Sequence, residues 1–219
     1  MTTKNIFIVV LLLIILPLKA QTNSDGSSPQ YLFSGFSPGQ VKMKNGKAQS
    51  TMLNYNTVTE RMVYEKDGNL YDLVNIEMID TIFLKNKNFV PVGKVFYEIL
   101  VDAPISLFVQ NKGELLSPGA PAAYGGTSQV SNSKYMTSVE LSAGYYNLKL
   151  PADYIVKTDQ VFWIRKDNNM SSFINEKQFL KLFPGREAEL KLFIKQNRLK
   201  FDKLPNLVRL VEHCNESVK

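Results

Sequence analysis

Cys214 and the chain's single histidine, His213, are sequence neighbours, and a thiol beside an imidazole is the raw material of a nucleophile and its base. Their spacing denies them that role. Adjacent residues on a helix point about 100° apart, whereas a nucleophile and its base need hydrogen-bond contact. Cys214 instead shares helical spacing with Leu207, Leu210 and Val211, which marks it as a small buried hydrophobe. With one histidine, a His-based metal site would have to recruit carboxylates from unrelated positions. Carboxylate pairs are the remaining option: Glu60, Asp72, Glu77, Asp80 and Glu98 all fall in or beside expected strands, and two acids that meet across a cleft can hydrolyse a glycoside. No spacing singles out a pair among them. The sequence has no P-loop and no G-x-S-x-G elbow, and Gly125-Gly126 is too short a run to cradle a phosphate. Asn169-Met170-Ser171 matches a glycosylation acceptor, a three-residue pattern that arises by chance. The expectation is a protein with no catalytic residue, no cofactor and no metal.

The elements that would position such residues begin after a leader. Lys4 precedes an unbroken apolar run from Ile6 to Leu16, followed by Pro17, Leu18, Lys19 and Ala20. That order is a signal peptide, with cleavage expected between Ala20 and Gln21. An apolar run of eleven residues falls short of the roughly twenty that a helix needs to cross hydrocarbon. No cysteine follows it to carry a lipid. The expected location is the periplasm, without a membrane span once the leader is removed, and with association at the outer membrane an option. The 199 residues that remain suffice for a sizeable core. With a lone cysteine there is no intrachain disulfide, so stability must come from packing and backbone pairing.

The formal charge is +6, and its location matters more than its size. Lys4 and Lys19 leave with the leader, residues 21–174 carry 14 basic and 14 acidic side chains, and residues 175–219 carry 10 and 6. The surplus lies in the tail. Export argues against nucleic acid as a partner, and a mild basic excess on helices reads first as a solvated face.

Residues 21–34 open with a segment poor in apolar side chains and are expected to be a disordered leader. Period-two alternation then begins near Gln40 and breaks at Asn45-Gly46, a dipeptide suited to a tight turn in which both residues take positive φ. The return strand is expected through Thr51 to Tyr55. Arg61 to Glu65, the turn Asp67-Gly68 and Leu70 to Leu73 repeat the device. Ile79 to Leu84, Phe89 to Val92, Val95 to Val101 and Ile105 to Val109 continue it. From Leu116 to Tyr135 the rhythm stops in a long Gly/Ser/Ala-rich loop, too long for an ordinary connection and therefore a candidate contact segment. Further strands are expected at Ser138 to Leu141, Tyr145 to Leu150 and Val161 to Arg165. At Asn175 the period changes to that of helices, with one short helix through Phe183, a second over about Glu187 to Asn197, and a third after Pro205.

The run Gly35-Phe36, Gly39-Gln40-Val41, Asn45-Gly46, Leu53-Asn54-Tyr55-Asn56, Glu60-Arg61-Met62, Gly68, Asp80-Thr81-Ile82 and Phe89-Val90 resembles a family of small exported Bacteroidota proteins. In that family a glycine-punctuated β region is followed by a Tyr-Gly-Gly loop, here Tyr124-Gly125-Gly126, and often by a helical tail. The resemblance covers roughly residues 35–215. It implies export and a β-rich fold, and carries over no catalytic residue.

The fold expected is mainly β with a C-terminal α part: an antiparallel meander, sandwich or partly closed barrel over residues 35–170, then a helical subdomain over 171–219. The function expected is contact with other cell-envelope proteins, as an accessory subunit of an outer-membrane or secretion complex. Tyr124, Gly125, Gly126, Tyr135, Lys191, Lys195 and Arg198 are the candidate contact residues. A second reading is a β module that holds a small apolar or glycan ligand against Tyr55, Tyr64, Phe96, Tyr97 or Trp163. A third is a carboxylate-dependent hydrolase.

Overall fold

The computed structural model describes residues 28–116, 120–121, 127–128 and 155–216. The alternating segments form β1 (Ser37–Met43), β2 (Ala48–Asn56), β3 (Arg61–Lys66), β4 (Asn69–Asp72), β5 (Ile79–Leu84), β6 (Lys87–Val92), β7 (Val95–Val101) and β8 (Ser106–Leu116). Two-residue strands β9 (Ala120–Pro121) and β10 (Thr127–Ser128) pair with each other, and β11 (Ile155–Lys166) and β12 (Asn169–Phe173) follow. Ten strands make one antiparallel sheet in the order β12-β11-β8-β7-β6-β5-β1-β2-β3-β4. The α+β class read from periodicity is the class adopted. The sandwich is not: tight turns keep successive strands as neighbours in one ladder, and the sheet remains open with β4 and β12 at its edges. Between β4 and β5 the chain returns across three strands, so that β5 pairs beside β1.

Cross-strand register assigns the faces. Val41 opposes Ile82, Ile82 opposes Phe89, and Tyr55 opposes Met62, so these side chains share one face. Together with Leu53, Leu84 and Phe96 they form a buried core under the curled N-terminal half of the sheet. On the same face of the C-terminal half, Leu107, Ile164 and Phe173 are covered by helices α1 (Glu176–Lys181), α2 (Glu187–Gln196) and α3 (Leu204–Glu216). Phe179, Leu190, Leu210 and Cys214 supply the helical side of that second core. The Asn175 side chain caps α1 by accepting from the Gln178 N–H at 3.0 Å. Among the described residues no helix is long and apolar enough to cross a membrane.

Three local expectations change. At Asn45-Gly46 only Gly46 takes positive φ, at 82°. Gly46 N–H donates to Met43 O and Met43 N–H donates to Lys47 O, so the loop has three residues and the left-handed residue forms a bulge. Strand β11 begins at Ile155, six residues before Val161, because its polar first half is held by pairing with β8 and not by burial. Strand β12 went unread because its turn, Asp167-Asn168, reaches positive φ (51° and 61°) without glycine. The Asn169-Met170-Ser171 triplet therefore lies in a paired strand.

The leader is attached from Ser28 onward: Thr57 N–H donates to Gln30 O and Leu32 N–H to Tyr55 O. The signal-peptide residues and the strands expected at Ser138 to Leu141 and Tyr145 to Leu150 lie outside the described residues.

Candidate functional site

Strands β7 and β8 pair at Glu98 with Val109, Ile99 with Phe108 and Val101 with Leu107, and beyond Glu98 they part. The turn between β2 and β3 enters the fork. Phe96 N–H donates to Glu60 O at 3.0 Å and Gly113 N–H to Thr57 O at 2.8 Å, so the turn takes the ladder bonds that the two strands no longer give each other. Asn56 Oδ1 shapes this turn by accepting from Val58 N–H and Thr59 N–H, and Glu60 closes it at a φ of 56°. Position 113 admits only glycine, since a Cβ would crowd the Thr57 side chain and Val156. Deeper in the fork the Tyr55 hydroxyl donates to the carbonyls of both Phe96 and Asn111. Burial, reinforced by the Glu60 charge, holds this phenol well above the ordinary tyrosine range.

Two polar clusters flank the fork. On the inner face Glu98, 4% exposed, pairs with Lys87 Nζ at 2.7 Å and accepts from Asn111 Nδ2 at 3.4 Å. Asn111 Oδ1 in turn accepts from Gln160 Nε2 at 2.9 Å. On the outer face Glu60 accepts from Gln110 Nε2 at 2.6 Å, Gln110 Oε1 accepts from Trp163 Nε1 at 3.0 Å, and Lys112 Nζ stands 3.9 Å from Glu60. Tyr97 packs on Trp163, and burial, then the Glu60 charge, raises its phenol pKa. Gln110 and Asn111 are adjacent on β8 and point to opposite faces, so the sheet itself separates Glu60 from Glu98.

The other acids named from sequence stand apart from both clusters. Asp72 pairs with Arg61 at 3.1 Å, yet burial outweighs that cation and raises its pKa. Asp80 pairs with Lys42 at 3.0 Å and its pKa is lowered by that hydrogen bond; Glu77 is exposed. Among the described residues no three His, Cys, Asp or Glu side chains gather as metal ligands. His213 lies flat on Phe193, ring centroids 3.8 Å apart, with its nitrogens 3.3 Å from Glu189 and from Glu216. Cys214 is fully buried, and desolvation pushes its thiol up to about 12.

The contact residues Tyr124, Gly125, Gly126 and Tyr135 lie outside the described residues. Lys191, Lys195 and Arg198 are all exposed. Ala188, Lys191, Leu192 and Lys195 recur at helical spacing on one face of α2. Beside that face an open groove of about 660 Å³ runs between α1 and α2, with Leu180 and Ala188 as its apolar part and Lys177, Lys181, Lys191, Glu176 and Glu187 around it. A second, more polar groove of about 450 Å³ lies at the mouth of the fork, where Leu32, Thr57, Asn111, Thr158 and Gln160 converge. Of the aromatic residues considered for a ligand, Tyr55 and Phe96 are wholly buried and fill the interior themselves, while Tyr64 stacks on Tyr71. Sequence reasoning missed Lys87, Gln110, Asn111 and Gln160, because amides and lysines alternating in strands look like solvent-facing residues.

No protein family matches the chain, and neither a curated protein nor a solved structure matches it.

Proposed function

We propose that this protein is a non-catalytic periplasmic component of the cell envelope that works by holding another envelope protein, as an accessory subunit of an outer-membrane or secretion complex. The observation that carries this reading is the outer face of α2. Leu192 is 54% exposed there, between Lys191 and Lys195, and the groove shared with α1 sets Lys177, Lys181 and Lys191 against Glu176 and Glu187 around an apolar floor. An apolar strip whose border holds more lysines than glutamates suits a partner segment with an apolar anchor and a predominantly acidic flank. The basic excess of residues 175–219 thus has a surface on which to act.

The test is photocrosslinking in intact cells from p-benzoylphenylalanine placed at Ala188. A discrete adduct with an envelope protein is expected, and the triple variant Lys177→Glu, Lys181→Glu, Lys191→Glu should abolish it. A protein that gives no adduct and leaves gentle extraction with nothing bound would overturn the reading. Export is checked separately by a mature N-terminus at Gln21 in the periplasmic fraction.

A second reading is favoured by the polar groove at the fork. Its hydroxyl and amide lining, from Thr57, Thr158, Asn111 and Gln160, suits a glycan better than an apolar ligand. Chemical-shift changes confined to these residues on adding envelope-derived oligosaccharides, lost in Gln160→Ala, would support it; an unchanged spectrum would remove it.

A further inference from the structure

Strand β11 is paired along all but its last residue on one side and along less than half on the other. β8 meets it from Ile155 to Arg165, whereas β12 covers only Phe162 to Lys166. Ile155–Val161 thus present an edge that no described residue pairs. The hairpin at its end sets the direction of the backbone groups. Lys166 and Asn169 flank a two-residue turn and so form a hydrogen-bonded pair, which turns the N–H and C=O groups of even-numbered residues of β11 toward the β12 side. Gln160 agrees: its N–H donates to the neighbouring Asp159 Oδ1 at 2.8 Å. Val156 and Thr158 share that outward direction, and Lys157, Thr158, Asp159 and Gln160 are exposed.

This edge is complementary to itself. In an antiparallel pairing with a second copy about a two-fold axis at Thr158, Thr158 faces Thr158, Lys157 faces Asp159, Val156 faces Gln160 and Ile155 faces Val161. Each charge meets its opposite, the apolar ends meet each other, and even residues meet even residues, as the outward hydrogen-bonding groups require. Thr158 is also the midpoint of Ile155–Val161, so this register uses the whole stretch that no described residue pairs. The nearest alternatives are disfavoured. A slip of one residue sets outward groups against inward ones, and the slips that preserve the hydrogen bonds place Asp159 against Asp159 or Lys157 against Lys157.

We propose that two copies of this chain join through the Ile155–Val161 edge into one continuous sheet, independently of the α2 face. An exposed strand edge that no described residue pairs invites addition of another strand, and here the charge pattern selects the same strand in one register.

Sedimentation of the purified protein over a range of concentrations tests this. A monomer–dimer equilibrium is expected, with Lys157→Glu or Asp159→Lys alone raising the dimer dissociation constant about tenfold or more, since each change acts twice across the axis. The exchange Lys157→Glu with Asp159→Lys should restore dimerisation. Thr158→Cys should give a disulfide-linked dimer, because opposed hydrogen-bonded residues sit about 5.5 Å apart at Cα, within disulfide range. Lys157→Cys should not, because its opposite is Asp159, and buried Cys214 does not compete. A monomer at every concentration, a double exchange no better than the single changes, or equal crosslinking from positions 157 and 158 would each overturn the proposal. So would capture of another protein's strand by an otherwise monomeric chain.

Discussion

The hydroxyl of Tyr55 stands 3.0 Å from the carbonyl oxygen of Phe96, and the same hydroxyl is 3.1 Å from that of Asn111. One proton is thus shared between two carbonyls at the point where β7 and β8 separate. The ring below packs against Phe89 with centroids 5.3 Å apart, so core packing places the hydroxyl. Tyr55→Phe keeps the ring and strands both carbonyls, at a cost of about 1–3 kcal/mol. Urea unfolding followed by circular dichroism should show the lower midpoint with an unchanged native spectrum. An unchanged midpoint would mean that the inserted turn closes the fork without the phenol.

Asn215 ties the helical part to the sheet. Its Oδ1 accepts from Ile105 N–H and its Nδ2 donates to Ile105 O, both at 2.9 Å, so the side-chain amide mimics a neighbouring strand. Asn215→Ala leaves both backbone groups of Ile105 without these partners and is expected to destabilise by about 1–3 kcal/mol. Hydrogen exchange should quicken first in α3, before the strands of the N-terminal half.

Cys214 is expected to be inert in the native state. It is fully buried and its thiol is pushed up to about 12 by desolvation, so thiolate is scarce at neutral pH. A chromogenic disulfide reagent should titrate no thiol in the folded protein and one after denaturation in guanidinium.

The acid limb of stability should carry the mark of Arg186. Its guanidinium holds Glu189 through two hydrogen bonds of 2.9 Å, which lower the Glu189 pKa from its usual 4.5. A carboxyl depressed in the folded state contributes stability above its unfolded pKa, and the contribution is lost as pH falls through the folded value. Asp72, with its raised pKa, acts in the opposite sense. Glu189 is substantially exposed, so the effect is small. In a series of melting temperatures below pH 4.5, Arg186→Gln should flatten the decline relative to the unaltered protein. Parallel curves would remove Glu189 from the account. His213 and Glu216 face the same carboxylate region and are present in both proteins, so the comparison isolates Arg186.

The mean direction of the chain is legible because it follows from local rules. Alternation put Val41, Ile82 and Phe89 on one face, Asp67-Gly68 marked a tight turn, Asn175 capped a helix, and apolar spacing buried Cys214 with Leu207, Leu210 and Val211. Each of these depends on residues within a few positions of one another, and so the order of strands followed by helices could be read from the amino acids alone. The fork, the separation of Glu60 from Glu98 by the sheet, the clasp of Asn215 on Ile105 and the edge of β11 that no described residue pairs join or divide residues far apart in the chain. Only the register of the assembled sheet decided them, because a hydrogen bond between distant strands depends on which residues end up opposite, and that is a property of the whole ladder.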